Sequence, residues 1–325
     1  MAATDAGMID VHFHLIPQFY RDAVYEAGRG PAIGRYPDWS PQLALELMDA
    51  HGIALAITSL AQPGVGFVPT DHAAGFARRC NDYAAELIAR HPGRFGCFAL
   101  LPMHDMDAAI AEARYGLETL RFEGISLFAS YEEKFLGDAA FDPLLRYLDS
   151  CSAIVHIHPG LHPSSRALAL PWPGFMIEYP FDTTRAAVNL LFSGALERFP
   201  NIRFILSHAG GTLPYLAWRL SVAPMIDKRL TQHSRADIFA GLKSFWYDNA
   251  LASGPQSMAA LSQIAAPDRI LFGSDWPFCN AGVVAEEVKD FASPGFLSPD
   301  THAAIARENA LKLLHPSPLA RGRMA

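Results

Sequence analysis

The sequence predicts a (β/α)8 barrel, and three observations support this prediction. Short apolar runs rich in β-branched residues recur along the 325 residues, with helix-length segments between them. Eight such runs can be counted, which is the number of parallel strands that closes this kind of barrel. The first run leads into His-Phe-His at residues 12–14, where an open doubly wound sheet would normally carry a glycine-rich phosphate turn. The barrel is therefore favoured over the open sheet.

The eight predicted strands are spread over most of the chain, with long loops after the first and the fifth. None of the loops has the composition of an interdomain linker, so we expect a single domain over residues 1–325. The strands are expected at residues 8–15, 53–60, 94–101, 124–129, 153–158, 203–208, 245–249 and 269–275.

The helix after the first long loop has the clearest end signals. Ser40 is a good N-cap, Pro41 fits the first turn and Gly52 can end the helix at residue 52. The other predicted helices cover residues 71–90, 107–120, 182–199 and 299–314, and one more begins near residue 142.

The composition excludes several classes of function. The formal net charge of −7, without a basic run in the body of the chain, makes nucleic acid an improbable partner. The first residues lack the pattern of a signal peptide, and no apolar stretch is long enough to span a bilayer, so we expect a cytoplasmic protein without a membrane partner. The four cysteines are far apart and form no CxxC pair, so neither disulfides nor a thiolate metal site is expected.

Histidines at strand ends point to a metal site. His12 and His14 are two residues apart, so their side chains project from the same face at the end of the first strand. His158 ends the fifth strand, and His156 lies one step deeper. A single histidine in such a place is more often a packed residue, but catalytic groups of a barrel come from the C-terminal strand ends. We therefore expect His12, His14 and His158 to bind one divalent ion, with His156 behind them.

A carboxylate and a further histidine stand at other strand ends. Asp275 ends the eighth strand, where a buried carboxylate is costly unless it is paired or bound to a metal. Asp248 ends the seventh, but Asn249 beside it could simply form a turn with it. His208 ends the sixth strand. Three roles are open for it: a metal ligand, a general acid or base, or a hydrogen-bonded core residue. Imidazoles with one carboxylate suit Zn²⁺ first, and Mn²⁺ is also compatible.

Four motifs in one order resemble the amidohydrolase-related family of metal-dependent decarboxylases, of which the 2-amino-3-carboxymuconate 6-semialdehyde decarboxylases are typical. These are HFH at residues 12–14, HP at 158–159, SHAGGTLPY from residue 207 and GSDWPF from residue 273. Within the family, the runs IDVHFH and ILSHAGGTLPYL are most similar to the 6-methylsalicylate decarboxylases. The resemblance extends from residue 9 to about residue 314.

The resemblance implies a role for each motif residue. The metal would be held by His12, His14, His158 and Asp275. His208 would be the nearby acid or base rather than a ligand. An arginine eleven residues after that histidine, here Arg219, would reach the neighbouring subunit of a homodimer and hold the substrate carboxylate.

Two departures narrow the expected chemistry. The segment after the first strand is shorter than in the muconate-semialdehyde enzymes, and Arg35 only loosely matches their substrate-binding arginine, which favours an aromatic acid. The fourth strand, GISLFAS from residue 124, has no lysine to bridge two metals, which disfavours the binuclear relatives.

The sequence therefore predicts a decarboxylase that converts an ortho-hydroxy aromatic acid, similar to 6-methylsalicylate, to CO2 and a phenol. We expect Asp275 to deliver a proton to the ring carbon while His208 tunes it. The aromatic residues of the loops near the barrel mouth are Trp172, Phe175, Phe181, Trp276 and Phe278. Of these, Trp172 and Trp276 are expected to sandwich the aromatic ring. The alternative is a hydrolase or hydratase that uses the same metal to activate water on a lactone or a related small carboxylated metabolite. A binding barrel without catalysis is less compatible with the complete ligand set.

Overall fold

The computed structural model describes residues 7–31, 34–168, 170–293 and 297–314, without the side chains of residues 166 and 168. Eight parallel strands form one sheet in sequential order. They are β1 Met8–His14, β2 Ile53–Ser59, β3 Phe95–Leu100, β4 Gly124–Phe128, β5 Ile154–His158, β6 Arg203–Leu206, β7 Trp246–Asp248 and β8 Ile270–Leu271.

The sheet closes on itself between its last and first strands. The backbone N–H of Val11 donates to the carbonyl of Phe272 at 3.0 Å, and the N–H of Asp275 donates to the carbonyl of His12 at 2.7 Å. The predicted (β/α)8 barrel is thus confirmed. The eighth strand is shorter than expected because its ladder with β7 covers only Ile270 and Leu271. After these residues the backbone bonds to β1, to the carbonyl of Ile305 and to the side chain of Asn249.

Helices surround the barrel, and the described residues contain several that the sequence did not predict. The first of them, α1, lies in the long loop after β1, and a small hairpin of Ser130–Tyr131 and Lys134–Phe135 follows β4. The helices are α1 Gln18–Glu26, α2 Pro41–His51, α3 Thr70–Arg90, α4 Met106–Arg114, α5 Asp142–Ser150, α6 Glu178–Phe192, α7 Ala195–Arg198, α8 Leu213–Val222, α9 Arg235–Ser244, α10 Pro255–Leu261, α11 Ala281–Phe291, α12 Pro299–Ala303 and α13 Asn309–Leu314.

The end signals of α2 work as expected. The Ser40 hydroxyl accepts a hydrogen bond from the N–H of Leu43 at 3.1 Å, and Gly52 ends the helix in the left-handed conformation at φ 68°. The single helix predicted over residues 182–199 is instead two, because Gly194 adopts a left-handed φ of 74° between α6 and α7.

The barrel has an inner core and a closed lower end. Inward-facing side chains of the strands pack together with the last helix, α13, which covers the N-terminal ends of the strands. These side chains are Ile9, Val11, Ile57, Phe98, Ile154, Ile205, Leu271, Ala310, Leu313 and Leu314. The opposite end is therefore the one that is left for a site. None of the described helices combines the length and the apolar character needed to cross a membrane.

Candidate metal centre and active site

Four side chains meet at the C-terminal end of the barrel. They are the three histidines expected to bind metal and the carboxylate that follows β8, and their potential ligand atoms all lie within 4.8 Å of one another. All four residues are buried. They are His12, His14, His158 and Asp275.

The three imidazoles share one arrangement, in which the Nδ1 atom contacts an oxygen of the protein. An oxygen of this kind accepts a hydrogen bond, so the proton is on Nδ1 and the Nε2 atom keeps a free lone pair. The acceptors are Asp248 Oδ2 for His12 at 2.9 Å, the Ser59 carbonyl for His14 at 3.2 Å and the Pro159 carbonyl for His158 at 2.7 Å.

The free atoms fit a divalent cation. Oδ1 of Asp275 lies 2.9 Å from Nε2 of His14 and 3.4 Å from Nε2 of His12. All three atoms are buried, yet none of them has a hydrogen-bond partner among the described residues. Buried polar atoms without a partner are costly, and a cation between them would remove that cost. Three imidazole nitrogens with one carboxylate oxygen form a donor set that suits Zn²⁺ and is compatible with Mn²⁺.

Burial and charge set the protonation of these groups. Burial lowers the pKa of His14 and puts that of His158 well below its ordinary value, which keeps both rings neutral, as ligands must be. Burial would also lower the pKa of His12, but the negative charges of Asp248 and Asp275 raise it well above its ordinary value. Burial would raise the pKa of Asp275, whereas the charge of His12 and contacts with the neighbouring rings hold it well below its usual range.

Asp248 lies beneath the ligands and connects three of the histidines. Its Oδ2 accepts from Nδ1 of His12 and lies 3.2 Å from Nε2 of His156. Its Oδ1 accepts from the backbone N–H of His208 at 2.9 Å. These contacts hold the pKa of Asp248 well below its ordinary value despite complete burial. The carboxylate thus positions the candidate ligand His12 and the backbone of His208.

His208 stands beside the ligand set. Its Nε2 lies 3.4 Å from Oδ2 of Asp275, the carboxylate oxygen that faces away from the other ligands. His208 and Asp275 both have left-handed backbones at φ 55°, a conformation that costs a residue with a side chain about 1–3 kcal/mol. Gly211 follows the same turn, and a Cβ there would lie 2.0 Å from the carbonyl oxygen of Pro180. The AGG sequence is thus explained by a tight turn that aims His208 at Asp275.

A cavity of about 750 Å³ opens above these groups. Its inner end is formed by His158, His208 and Asp275, and most of the remaining wall is apolar. No lysine or arginine is among the lining residues whose side chains the structure describes. Its aromatic side chains are Phe175, Tyr179, Tyr215 and Phe278.

Other residues predicted from the sequence lie away from this cavity. Arg219 is exposed on α8 and Arg35 is exposed on the loop after α1. Trp172 is 66% exposed and is not part of the described cavity wall. Trp276 is buried, and its ring packs against Phe13 at 4.8 Å between centroids. In this single chain, therefore, neither tryptophan faces the cavity and the arginine does not reach it.

Two aromatic wall residues lie beside the histidines, and the sequence singled out only Phe278 of the two. Tyr179 lines the cavity and places its ring 6.1 Å from that of His158. Phe278 packs against His14 at 5.2 Å. Phe278 lies three residues after Asp275, so the GSDWPF motif signalled its neighbourhood. No sequence pattern signalled Tyr179.

Comparisons with known proteins agree with this geometry. A family model described as amidohydrolase matches residues 9–315. The chain is 38% identical to the decarboxylase yanB of Aspergillus niger, over 94% of this chain and 86% of that protein. It is also 38% identical to a 6-methylsalicylic acid decarboxylase of Penicillium expansum, over 83% of this chain and 84% of that protein. A dihydroxybenzoic acid decarboxylase from Polaromonas sp. JS666, solved with manganese and the inhibitor 2-nitroresorcinol, superposes with a TM-score of 0.81 at 26% identity, over 95% of this chain and 96% of that one.

Proposed function

The chain belongs to the amidohydrolase family, and from this premise we propose the reaction that it catalyses. It is a carboxy-lyase that removes CO2 without oxidation from an ortho-hydroxy aromatic acid, with 6-methylsalicylate as the model substrate. The observation that carries the proposal is the set of four ligand residues, with His208 beside it, at the inner end of an aromatic-lined cavity.

Zn²⁺ is the proposed metal, because three imidazoles and one carboxylate are its preferred donors, and Mn²⁺ is the alternative. The residues that would hold it are His12, His14, His158 and Asp275. The Polaromonas relative was solved with manganese, which supports the alternative. A bound divalent ion would supply the positive charge that orients an anionic substrate through its phenol oxygen and carboxylate.

The order of bond changes follows from the chemistry of the ring. Direct loss of CO2 would leave an electron pair in the ring plane, where the aromatic system cannot stabilise it. A proton must therefore reach the ring carbon that bears the carboxylate before the carbon–carbon bond breaks. The electron pair of that bond then restores the aromatic ring, and the products are CO2 and a phenol.

The proton is assigned to Asp275 and His208. Their side chains contact each other at 3.4 Å, and both line the cavity at its inner end. The Asp275 carboxylate is ionised in the free site, so the proton passes from His208 to Asp275 and from there to the ring carbon, and His208 also tunes the phenol oxygen. Both backbones are held in a strained conformation, which fixes this pair before the substrate arrives.

The ring and the carboxylate need further partners. In place of Trp172 and Trp276, we assign the aromatic wall to Tyr179 and Phe278, which line the cavity.

A charged partner for the carboxylate would come from Arg219 of a second copy, so the active form is a homodimer. The described part of α8 and the turn after it carries exposed apolar side chains that support such an interface, namely Tyr215, Trp218, Met225 and Ile226. The cytoplasm remains the location predicted from the sequence.

CO2 release tests the proposal directly. The metal-loaded protein is incubated with salicylate, 6-methylsalicylate and 2,6-dihydroxybenzoate, and with 3- and 4-hydroxybenzoate as controls that lack the ortho hydroxyl. Only the ortho-hydroxy acids should release CO2, and a chelator should stop the reaction. A panel of lactones examines the hydrolase alternative. Turnover of a lactone without CO2 release from any hydroxybenzoate would overturn the proposed function.

A further inference from the structure

The cavity is larger than a methylated hydroxybenzoate requires. At roughly 30 Å³ per water molecule, 750 Å³ equals the volume of about 25 waters, whereas a methylsalicylate has about eleven non-hydrogen atoms. With the carboxylate held near His158, His208 and Asp275, the unused space lies toward the cavity mouth. Arg219 of the proposed second copy would take part of that space, and the rest needs an occupant if the substrate is to exclude water.

The mouth of the cavity is apolar. Met176, Leu251 and Val283 line it, and they are 56%, 47% and 36% exposed, respectively. Large apolar side chains that are both exposed and part of a cavity wall mark a surface that an apolar ligand group covers. The described side chains of the wall include no lysine or arginine that would attract a second acidic group.

Leu251 is held at this mouth by an unusual backbone. It has a left-handed φ of 51°, a conformation in which glycine or asparagine is the usual residue and a branched side chain is disfavoured. Its N–H donates to Oε1 of Glu287, a buried residue of α11, which secures the conformation. An apolar side chain is thus fixed at the cavity wall by a backbone conformation that leucine rarely adopts.

We propose that the substrate carries an unbranched alkyl chain of about three to five carbons at ring position 6, where the model substrate carries its methyl group, and that this chain packs against Met176, Leu251 and Val283. The inference rests on the proposed function and extends it from 6-methylsalicylate to longer 6-alkylsalicylates. Each buried methylene contributes free energy that corresponds to roughly a threefold to fourfold gain in kcat/KM. Leu251 is then the residue that determines the preferred chain length.

The test measures kcat/KM of the metal-loaded protein for salicylate and for its 6-methyl, 6-propyl and 6-pentyl derivatives. We expect kcat/KM to rise from methyl to propyl by about tenfold and to stay high for pentyl. Leu251→Asn keeps a residue that tolerates the left-handed backbone but removes the apolar surface, so the pentyl-to-methyl ratio of kcat/KM should fall by about tenfold. Val283→Thr, which keeps the shape of the side chain, should lower the same ratio by a smaller factor.

Leu43→Asn is the matched control, since Leu43 is 41% exposed on α2 and is not part of the cavity wall. It should leave both the activity and the ratio unchanged. If the unsubstituted and methyl acids release CO2 but longer chains are turned over more slowly, this inference is overturned and the proposed function stands. An equal loss for every chain length in Leu251→Asn would also overturn it. If no hydroxybenzoate releases CO2, the proposed function itself has failed.

Discussion

Two carboxylates at neighbouring strand ends have opposite surroundings. Both oxygens of Asp248 contact N–H groups or rings of histidines, whereas Oδ1 of Asp275 lies close to two imidazole nitrogens without a hydrogen bond. Both residues are buried, so burial does not distinguish them. The difference is in which atoms remain free. The proposed ligand Asp275 keeps an oxygen without a partner, whereas both oxygens of Asp248 are paired, which lets Asp248 hold its neighbours in place.

The largest expected effect is that of replacing His158. It should distinguish this proposed ligand from His156, which lies deeper on β5 and contacts Asp248. His158→Ala removes a ligand, so we expect metal content below one equivalent and no measurable turnover. His156→Gln changes a residue that contacts Asp248, and the amide can still donate to that carboxylate, so its metal content should stay near one equivalent. Elemental analysis of both purified variants, alongside CO2 release, checks the contrast.

The opposite result for the two variants would reverse the assignment. If His158→Ala kept its metal and its activity while His156→Gln lost both, the deeper group of His12, His156 and Asp248 would hold the ion. Those three residues also bring ligand atoms within 4.8 Å of one another, so the experiment decides between two real arrangements.

His208→Ala should give the second largest effect. His208 touches Asp275 but does not belong to the four-ligand group, so the variant should keep its metal while its kcat falls by about 10² to 10⁴, the usual contribution of a positioned acid or base. Metal content and kcat are measured on the same preparation. A parallel loss of metal would place His208 among the metal ligands.

Asp248→Asn tests the supporting carboxylate itself. The substitution keeps the size of the side chain but weakens the acceptor for Nδ1 of His12, so metal affinity should fall by about 10-fold to 100-fold. Competition with a chelator measures the affinity. Glu112→Gln is the matched control, because Glu112 is a buried carboxylate that bonds Arg78 and Asn81 on the outer helices, far from any ligand. Unchanged metal affinity in Asp248→Asn would refute the positioning role.

The sequence could predict the barrel because each strand signals itself locally. Apolar runs bounded by turn residues gave all eight strands to within a few residues, and the Ser40 cap and Gly52 end of α2 depend on neighbouring residues only. The short β8 could not be predicted, because its length depends on which neighbouring strand it pairs with. Closure between β8 and β1 joins residues that are far apart in the chain.

The candidate site was predictable only in part. His12 and His14 share a strand, so their common face follows from the sequence alone. The turn after Asp248 is present, since its Oδ1 accepts from the N–H of Ala250 at 3.2 Å, but the pairing of Asp248 with His12 joins residues 236 apart in the chain and could not be predicted. The aromatic wall was placed on Trp172 rather than Tyr179, because loop composition does not show which side chains turn inward.

The smallest expected effect concerns Arg219 on the outer surface. Within one chain, the described side chains that line the cavity include no lysine or arginine that could bind the substrate carboxylate. A guanidinium binds a carboxylate through two parallel hydrogen bonds, so Arg219→Ala should lower kcat/KM by about tenfold, the lower end for a charged hydrogen bond. Purified heterodimers of His208→Ala and Arg219→Ala chains then decide which subunit the arginine serves. If Arg219 acts on the partner, one site per heterodimer contains both residues and the activity should be about half that of the unmodified protein. If it acts within its own chain, the one site that keeps His208 lacks Arg219, so the activity should be about twentyfold below that of the unmodified protein. Full activity of Arg219→Ala alone would show that the carboxylate is bound by another group.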